Sequence, residues 1–179
     1  LGMWGSMTSA YSVMVHQSIF VDKQGQKVAS DIVTLRDVPA SYSVANRVFD
    51  DEGVPSKENV LISKGVLKTY LHNTSTAKIF KTETTSNAGL VSPTPWNIEM
   101  DAGNMSGDQM FSEIKRGLYL TNTWYTRFQN YATGDFSTIP RDGIFLIEKG
   151  EIKQSWKDIR LSDNALKMLN NIVGISKER

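Results

Sequence analysis

Residues 61–68 read as an apolar run, a Lys-Gly pair and a second run, LISKGVLK, and residues 146–153 repeat the pattern as LIEKGEIK. Leu61, Ile62, Lys64, Gly65 and Lys68 are matched by Leu146, Ile147, Lys149, Gly150 and Lys153. Apolar runs flanking a glycine that supplies a positive φ predict a β-hairpin at each place. Two such hairpins suggest a pseudo-repeated sheet; ordinary hairpin chemistry accounts for the same matches. Val28, Ile32, Val33 and Leu35 predict a strand over 27–38, ended by Pro39. Further strands are predicted over 65–71 and 118–125, where β-formers dominate. Pro93 and Pro95 hold 92–96 extended, and 97–100 adds an edge strand.

Helical patterns are fewer. Small residues interleaved with Trp4, Tyr11, Val13 and Val15 predict a closely packed helix from about Trp4 onward. Asn73, Thr74, Ser75 and Thr76 are N-cap residues for a short helix reaching Phe80. Ser106 and Gln109 fit a capping box, with Met105 and Met110 as its staple, Phe111 and Ile114 on the apolar face, and Gly117 as the stop. A last helix is predicted over 162–173, capped by Ser162, with Leu166, Leu169, Ile172 and Val173 packing inward. Residues 175–179 form a mostly polar tail. The expected fold class is α+β: a curved, antiparallel-rich sheet with β-hairpins and a few packing helices.

Composition narrows the function. The 179 residues suit one domain, and 40% hydrophobic with 22% charged residues argues against disorder. A net charge of +1 provides no field for nucleic acid, which is not expected as a partner. There is no cysteine, hence no disulfide or thiolate metal site. No apolar run approaches membrane-spanning length, and the cytoplasm is the default compartment. Leu1 stands where a Met would, and 1–10 lacks the basic start and long apolar core of a signal peptide, so a piece of a longer protein is expected.

Candidate chemistry is sparse. Nucleophile elbow, P-loop, dinucleotide fingerprint and H-E-x-x-H pair are all missing from the sequence. Asp50, Asp51 and Glu52 precede Gly53; adjacent carboxylates can bind a hard cation, or form a solvated loop. His16 and His72 are the two histidines, each read as structural, with His72 also open as a base. The loop 84–89, TTSNAG, either turns the chain or exposes N–H groups and hydroxyls to an extended ligand. Trp124, Tyr125, Arg127, Phe128 and Tyr131 form an aromatic-basic cluster, suited to a binding surface or to a half-buried strand.

Several stretches carry a resemblance. GVLKTYL at 65–71, NTSTA at 73–77 and SNAG at 86–89 are similar to the C-terminal half of the TldD/PmbA proteins, the modulator of DNA gyrase family. EIKRGLY at 113–119, GDFS at 134–137, FLIEKGEI at 145–152 and LSDNALKMLNNI at 161–172 follow in the same order. FDDEG at 49–53 resembles a family stretch near the cleft. The resemblance implies that 1–179 is a C-terminal domain and that a large N-terminal α/β half is absent from this chain, and the family usually continues past this point. Catalytic TldD-type members hold zinc through a pair of histidines ahead of this region and a cysteine near the extreme C-terminus. This chain has neither and looks closer to the PmbA/TldE branch. The resemblance therefore implies a non-metal subunit, pairing with a TldD-type homologue or with itself, that lines the cavity of a zinc-dependent peptidase acting on unfolded peptides. No catalytic or metal residue is assigned. Thr85, Ser86, Asn87, Thr123 and Trp124 are the expected substrate-binding positions, from loop position and chemistry. A scaffold module using Trp124, Arg127, Phe128 and Tyr131, and a hydrolase using His72, are the other readings.

Overall fold

Both Lys-Gly pairs make the turn that the sequence predicts. The computed structural model describes residues 1–39, 44 and 46–178. Lys64 and Gly65 have φ of 47° and 78°, and Lys149 and Gly150 have 53° and 80°, so both central residues are left-handed. That is the twist-matched two-residue hairpin turn. One turn joins β2 (Asn59–Ser63) to β3 (Val66–Leu67); the other joins β6 (Asp135–Glu148) to β7 (Glu151–Ser155). Each hairpin takes an upstream strand on its other side. β1 (Leu35–Asp37) pairs antiparallel with β2, and β5 (Arg116–Asn130) pairs antiparallel with β6.

The strands divide between two four-stranded sheets rather than forming one. The first has the order β3-β2-β1-β4, with β4 (Ile98–Met100) at the edge as expected. The second has the order β5-β6-β7, and β8 (Leu161–Asn164) also pairs with β6. All ladders between named strands are antiparallel, within an α+β chain. Arg36 on β1 grips Asp101 through Nε at 2.7 Å and through its terminal nitrogen at 3.1 Å, and reaches Glu58 at 2.6 Å. The two carboxylates raise the guanidinium above its ordinary value, Asp101 most.

Several predicted elements are shorter or displaced. Of 27–38 only Leu35–Asp37 is a strand. Val28, Ala29 and Val33 are buried, but their neighbourhood bonds across the fold: the Val28 and Ala29 amides donate to the Gly65 carbonyl, and that of Ser30 donates to the Leu169 carbonyl. The strand over 65–71 stops at Leu67, and Leu71 instead bridges Ser9. That bridge splits the N-terminal helix into α1 (Gly2–Met7) and α2 (Ala10–Met14). Close packing of α1 is real: a Cβ on Gly5 would stand 2.3 Å from the Ile98 side chain. α3 (Thr74–Phe80) begins at Asn73, whose side chain accepts from the Thr76 amide in a reciprocal capping box.

α4 (Gly107–Ser112) has the expected box between Ser106 and Gln109 but ends before Gly117, which lies in β5. The last helix is α5 (Ala165–Asn170), capped by Asn164, not by Ser162. Ser162 is held opposite Ser137 in the β6–β8 ladder and cannot turn into a helix. Of the polar tail, Arg179 lies outside the described residues. The core gathers Trp4, Phe20, Leu35, Leu61, Tyr70 and Leu71 from the first half with Phe136 and Leu169 from the second. Tyr70 Oη donates to the Phe20 carbonyl at 2.7 Å, and Trp4 Nε1 to the Ala165 carbonyl at 3.3 Å.

The two turns make a controlled comparison. A Cβ on Gly65 would stand 2.4 Å from the Ala29 carbonyl oxygen, and one on Gly150 3.0 Å from the Ser112 Cα. Gly150→Ala is expected to cost about 1–2 kcal/mol for its left-handed backbone. Gly65→Ala should cost at least about 1 kcal/mol more, because the Ala29 backbone cannot yield. Urea midpoints measure both; equal midpoints would refute the close approach at Gly65.

Candidate functional site

Two acids anchor the long loop between α3 and β4. Asp37, at the end of β1, is fully buried. One carboxylate oxygen accepts from the Trp96 and Asn97 amides, each at 2.8 Å, and the other accepts from Asn87 Nδ2. Burial pushes the carboxyl above its ordinary value, against the pull of those donors. Asn87, also fully buried, donates to the Thr94 carbonyl at 3.1 Å and accepts from Asn59 Nδ2 at 3.1 Å. Asp50 is the second anchor. It accepts from the Glu52 and Val54 amides on one oxygen and from the Ala88 amide on the other, at 2.9–3.0 Å.

The backbone of His72 completes the support. Its carbonyl accepts from the Thr85 amide at 3.2 Å, the Asn87 amide at 3.4 Å and Thr84 Oγ1 at 3.1 Å. Its amide donates to Thr85 Oγ1 at 2.6 Å. The imidazole is buried, with Nδ1 3.3 Å from Thr76 Oγ1 and the Tyr70 and Phe80 rings around it. Burial holds it below its ordinary value of 6.5. No acid bonds to its ring among the described residues, and this arrangement is that of a structural histidine. His16 is exposed, in a left-handed turn after α2.

Thr85, Ser86 and Asn87 are therefore buried and bonded inward, not displayed. The tip of their loop, Leu90 and Val91, stands in solvent. Thr123 and Trp124 lie in the other sheet, on β5. The two groups share no hydrogen bond among the described residues, and they do not form one compact site. Trp124, Tyr125 and Tyr131 are each more than half exposed. The Arg141 guanidinium sits 4.7 Å from the Trp124 ring centre, and that of Arg127 sits 4.7 Å from the Tyr125 ring. Phe128 differs from its neighbours: it packs on Phe136 and Tyr131.

The acidic triplet does not converge. Asp51 pairs with Arg47 at 2.6 Å, and Glu52 accepts from the Thr74 amide and hydroxyl at the start of α3, while Asp50 faces inward. Among the described residues no three of His, Asp and Glu gather as a metal would need. The donors among the described residues therefore do not gather to fit a zinc ion. Sequence reading missed Asp37, whose partners lie in a distant loop, and offered Asp50 only as a cation ligand or part of a solvated loop. The signal in the sequence for Asp37 was an acid closing a strand, VTLRD.

Asp37→Asn is expected to destabilise the fold by about 1–3 kcal/mol, since an amide nitrogen would face Asn87 Nδ2, donor against donor. Flipping Asn87 only moves that clash to Asn59. A urea series showing no loss would refute the network. His72 sets a pH dependence. Its lowered folded value means that its contribution is complete above about pH 6.5 and is lost as pH falls through that lowered value. Unfolding free energy should decline below about pH 6.5, before carboxylates titrate below about pH 5. His72→Gln should flatten the decline, and an unchanged slope would count against it.

The whole chain, residues 1–179, matches the family model described as the PmbA/TldA metallopeptidase C-terminal domain. A metalloprotease of Methanocaldococcus jannaschii is 33% identical over 97% of this chain and 40% of its own length. A TldD homologue of Haemophilus influenzae, named a metalloprotease, is 30% identical over 87% of this chain and 33% of its own. The crystal structure of TldE from Thermococcus kodakarensis superposes with a TM-score of 0.84 at 29% identity, over 99% of this chain and 42% of that one. A Thermotoga maritima protein solved as a candidate modulator of a DNA gyrase gives 0.88 at 31% identity, over 97% and 41%. The chain thus spans about two fifths of the length of most of these relatives. Over its full length, the chain belongs to the PmbA/TldA metallopeptidase family.

Proposed function

We propose that this chain is the cavity-lining C-terminal domain of a non-metal subunit in a dimeric, zinc-dependent peptidase that degrades unfolded polypeptides in the cytoplasm. The observation that carries the reading is β5. It is 15 residues long, borders its sheet, and pairs only with β6 among the described strands. Its side chains are almost all exposed. A long bare edge is a template for another extended chain, and pairing of that kind reads backbone rather than sequence. Such binding suits a substrate without fixed sequence.

In this reading Thr123 and Trp124 contact the peptide, and Thr85, Ser86 and Asn87 shape the cavity wall from beneath. The residues of this chain bind and orient the polypeptide. Any zinc, and the bond cleavage with it, belongs to a TldD-type partner or to parts of the protein beyond this domain. Among the described residues no helix is long and apolar enough to cross a membrane. A scaffold role has one observation in its favour, the exposed Arg–aromatic pairs at Trp124 and Tyr125, a composition common in binding hot spots.

The test is hydrolysis of an unfolded protein by the full-length gene product, alone and with a zinc-bearing homologue, each with and without a chelator. Cleavage only in the mixture, abolished by the chelator, is the expected result. Chelator-sensitive cleavage by the full-length product alone would overturn the subunit assignment. Inactivity in every mixture would favour the scaffold.

A further inference from the structure

The ladders of the second sheet assign its residues to two faces. Directly opposed residues share a face, and so do alternate residues along one strand. Phe136 and Thr138 on β6 therefore point the same way as their β8 partners, Asp163 and Leu161. Leu120 and Thr123 of β5, opposite Ile144 and Pro140, join them. Met3 and Trp4 of α1 and Met168 of α5 cover this inner face without filling it, and a cavity of about 360 Å³ remains between helices and sheet. Apolar side chains make most of its wall. Asp163 is the one charged side chain among the described residues that line it. Lys167, four residues on, stands 4.0 Å from that carboxylate on a mostly exposed side chain.

The polar atoms left over in this cavity are set to accept. Thr126 Oγ1 donates to Thr138 Oγ1 at 2.9 Å, and Thr138 Oγ1 donates onward to the Trp124 carbonyl at 3.2 Å. Both hydroxyl protons are spent, and a lone pair on Thr126 stays open. Among the described residues the Asp163 carboxylate takes one hydrogen bond, from the Asn164 amide at 2.7 Å, and has room for more. A ligand suited to this set brings hydrogen-bond donors and a positive charge on an apolar body. A dry cavity of about 150 Å³ already holds benzene, so this one has space for a ring and a short arm. Met3 and Met168 offer sulfur to such a ring, and Trp4 and Phe136 offer aromatic surface. We propose that the cavity binds a small apolar amine, with its ammonium on Asp163 and its ring among Trp4, Phe136 and Met168. The site lies inward of the bare edge of β5 and does not depend on the peptide reading.

The experiment is calorimetric titration of the full-length protein with phenethylamine, 2-phenylethanol and 3-phenylpropionate, three probes that share a ring and differ in charge. The amine should bind about fivefold tighter than the alcohol, the gain of one half-exposed ion pair, and the carboxylate weaker than both. Asp163→Asn keeps the oxygen that accepts from the Asn164 amide. It should bring the amine to the level of the alcohol and leave the alcohol unchanged. Thr123→Trp, at an exposed strand position where an aromatic is well tolerated, should fill the cavity and abolish binding of the amine. Thermal melts of both variants check that each is folded. Equal affinity for amine and alcohol, or a preference that survives Asp163→Asn, would overturn the role of Asp163 and with it the amine. Amine binding unmoved by Thr123→Trp would place the ligand elsewhere and overturn the site. Failure of every probe to bind would overturn it too, as when another segment of the full-length protein fills the cavity.

Discussion

The carboxylate of Asp37 is the contact on which the first half of the molecule hangs. Residues 81–97 contain no helix or strand, yet 85–88 run through the interior, where every amide needs an acceptor. Asp37 supplies acceptors at Trp96, Asn97 and Asn87, and Asp50 supplies another at Ala88. Two buried acids thus do for this loop what a neighbouring strand would do for a sheet. The cost is a carboxylate out of water, visible in the raised value of Asp37. The benefit is a fixed course for a loop that could otherwise take many.

What could be read in advance follows from the range of the interactions involved. The hairpins and the caps at Ser106 and Asn73 depend on neighbours a few positions away, so their residues announce them. The strand over 27–38 formed only at Leu35–Asp37, because apolar spacing reports burial and Val28, Ala29 and Val33 are buried outside any named strand. Ser162 failed because a distant strand claimed it before it could cap a helix. The loop at Thr85 to Asn87 read as a display surface because small polar residues look alike whether they face water or a buried acid. Trp124 and Tyr125 read equally as a binding surface or a half-buried strand, and the bulges where the β5–β6 register shifts could not be read at all. Bulges are matters of register between two strands, and a single sequence carries no register.

The two sheets divide the work. The first is short-stranded, closed in by α1, α2 and the anchored loop, and holds most of the core. The second is long, largely solvent-facing and open along β5. A closely packed half therefore carries an exposed half.

The same topology imposes an order of assembly. The two Lys-Gly hairpins close over neighbouring residues and form in about 1–10 μs. Trp4 Nε1, by contrast, reaches a carbonyl 161 residues further along the chain. Closing so wide a span is entropically dear until much else has formed. α1 therefore docks late, and Trp4 and Ala165 stay apart through most of folding. During synthesis Trp4 must therefore wait for Ala165 to emerge before its ring N–H finds its acceptor.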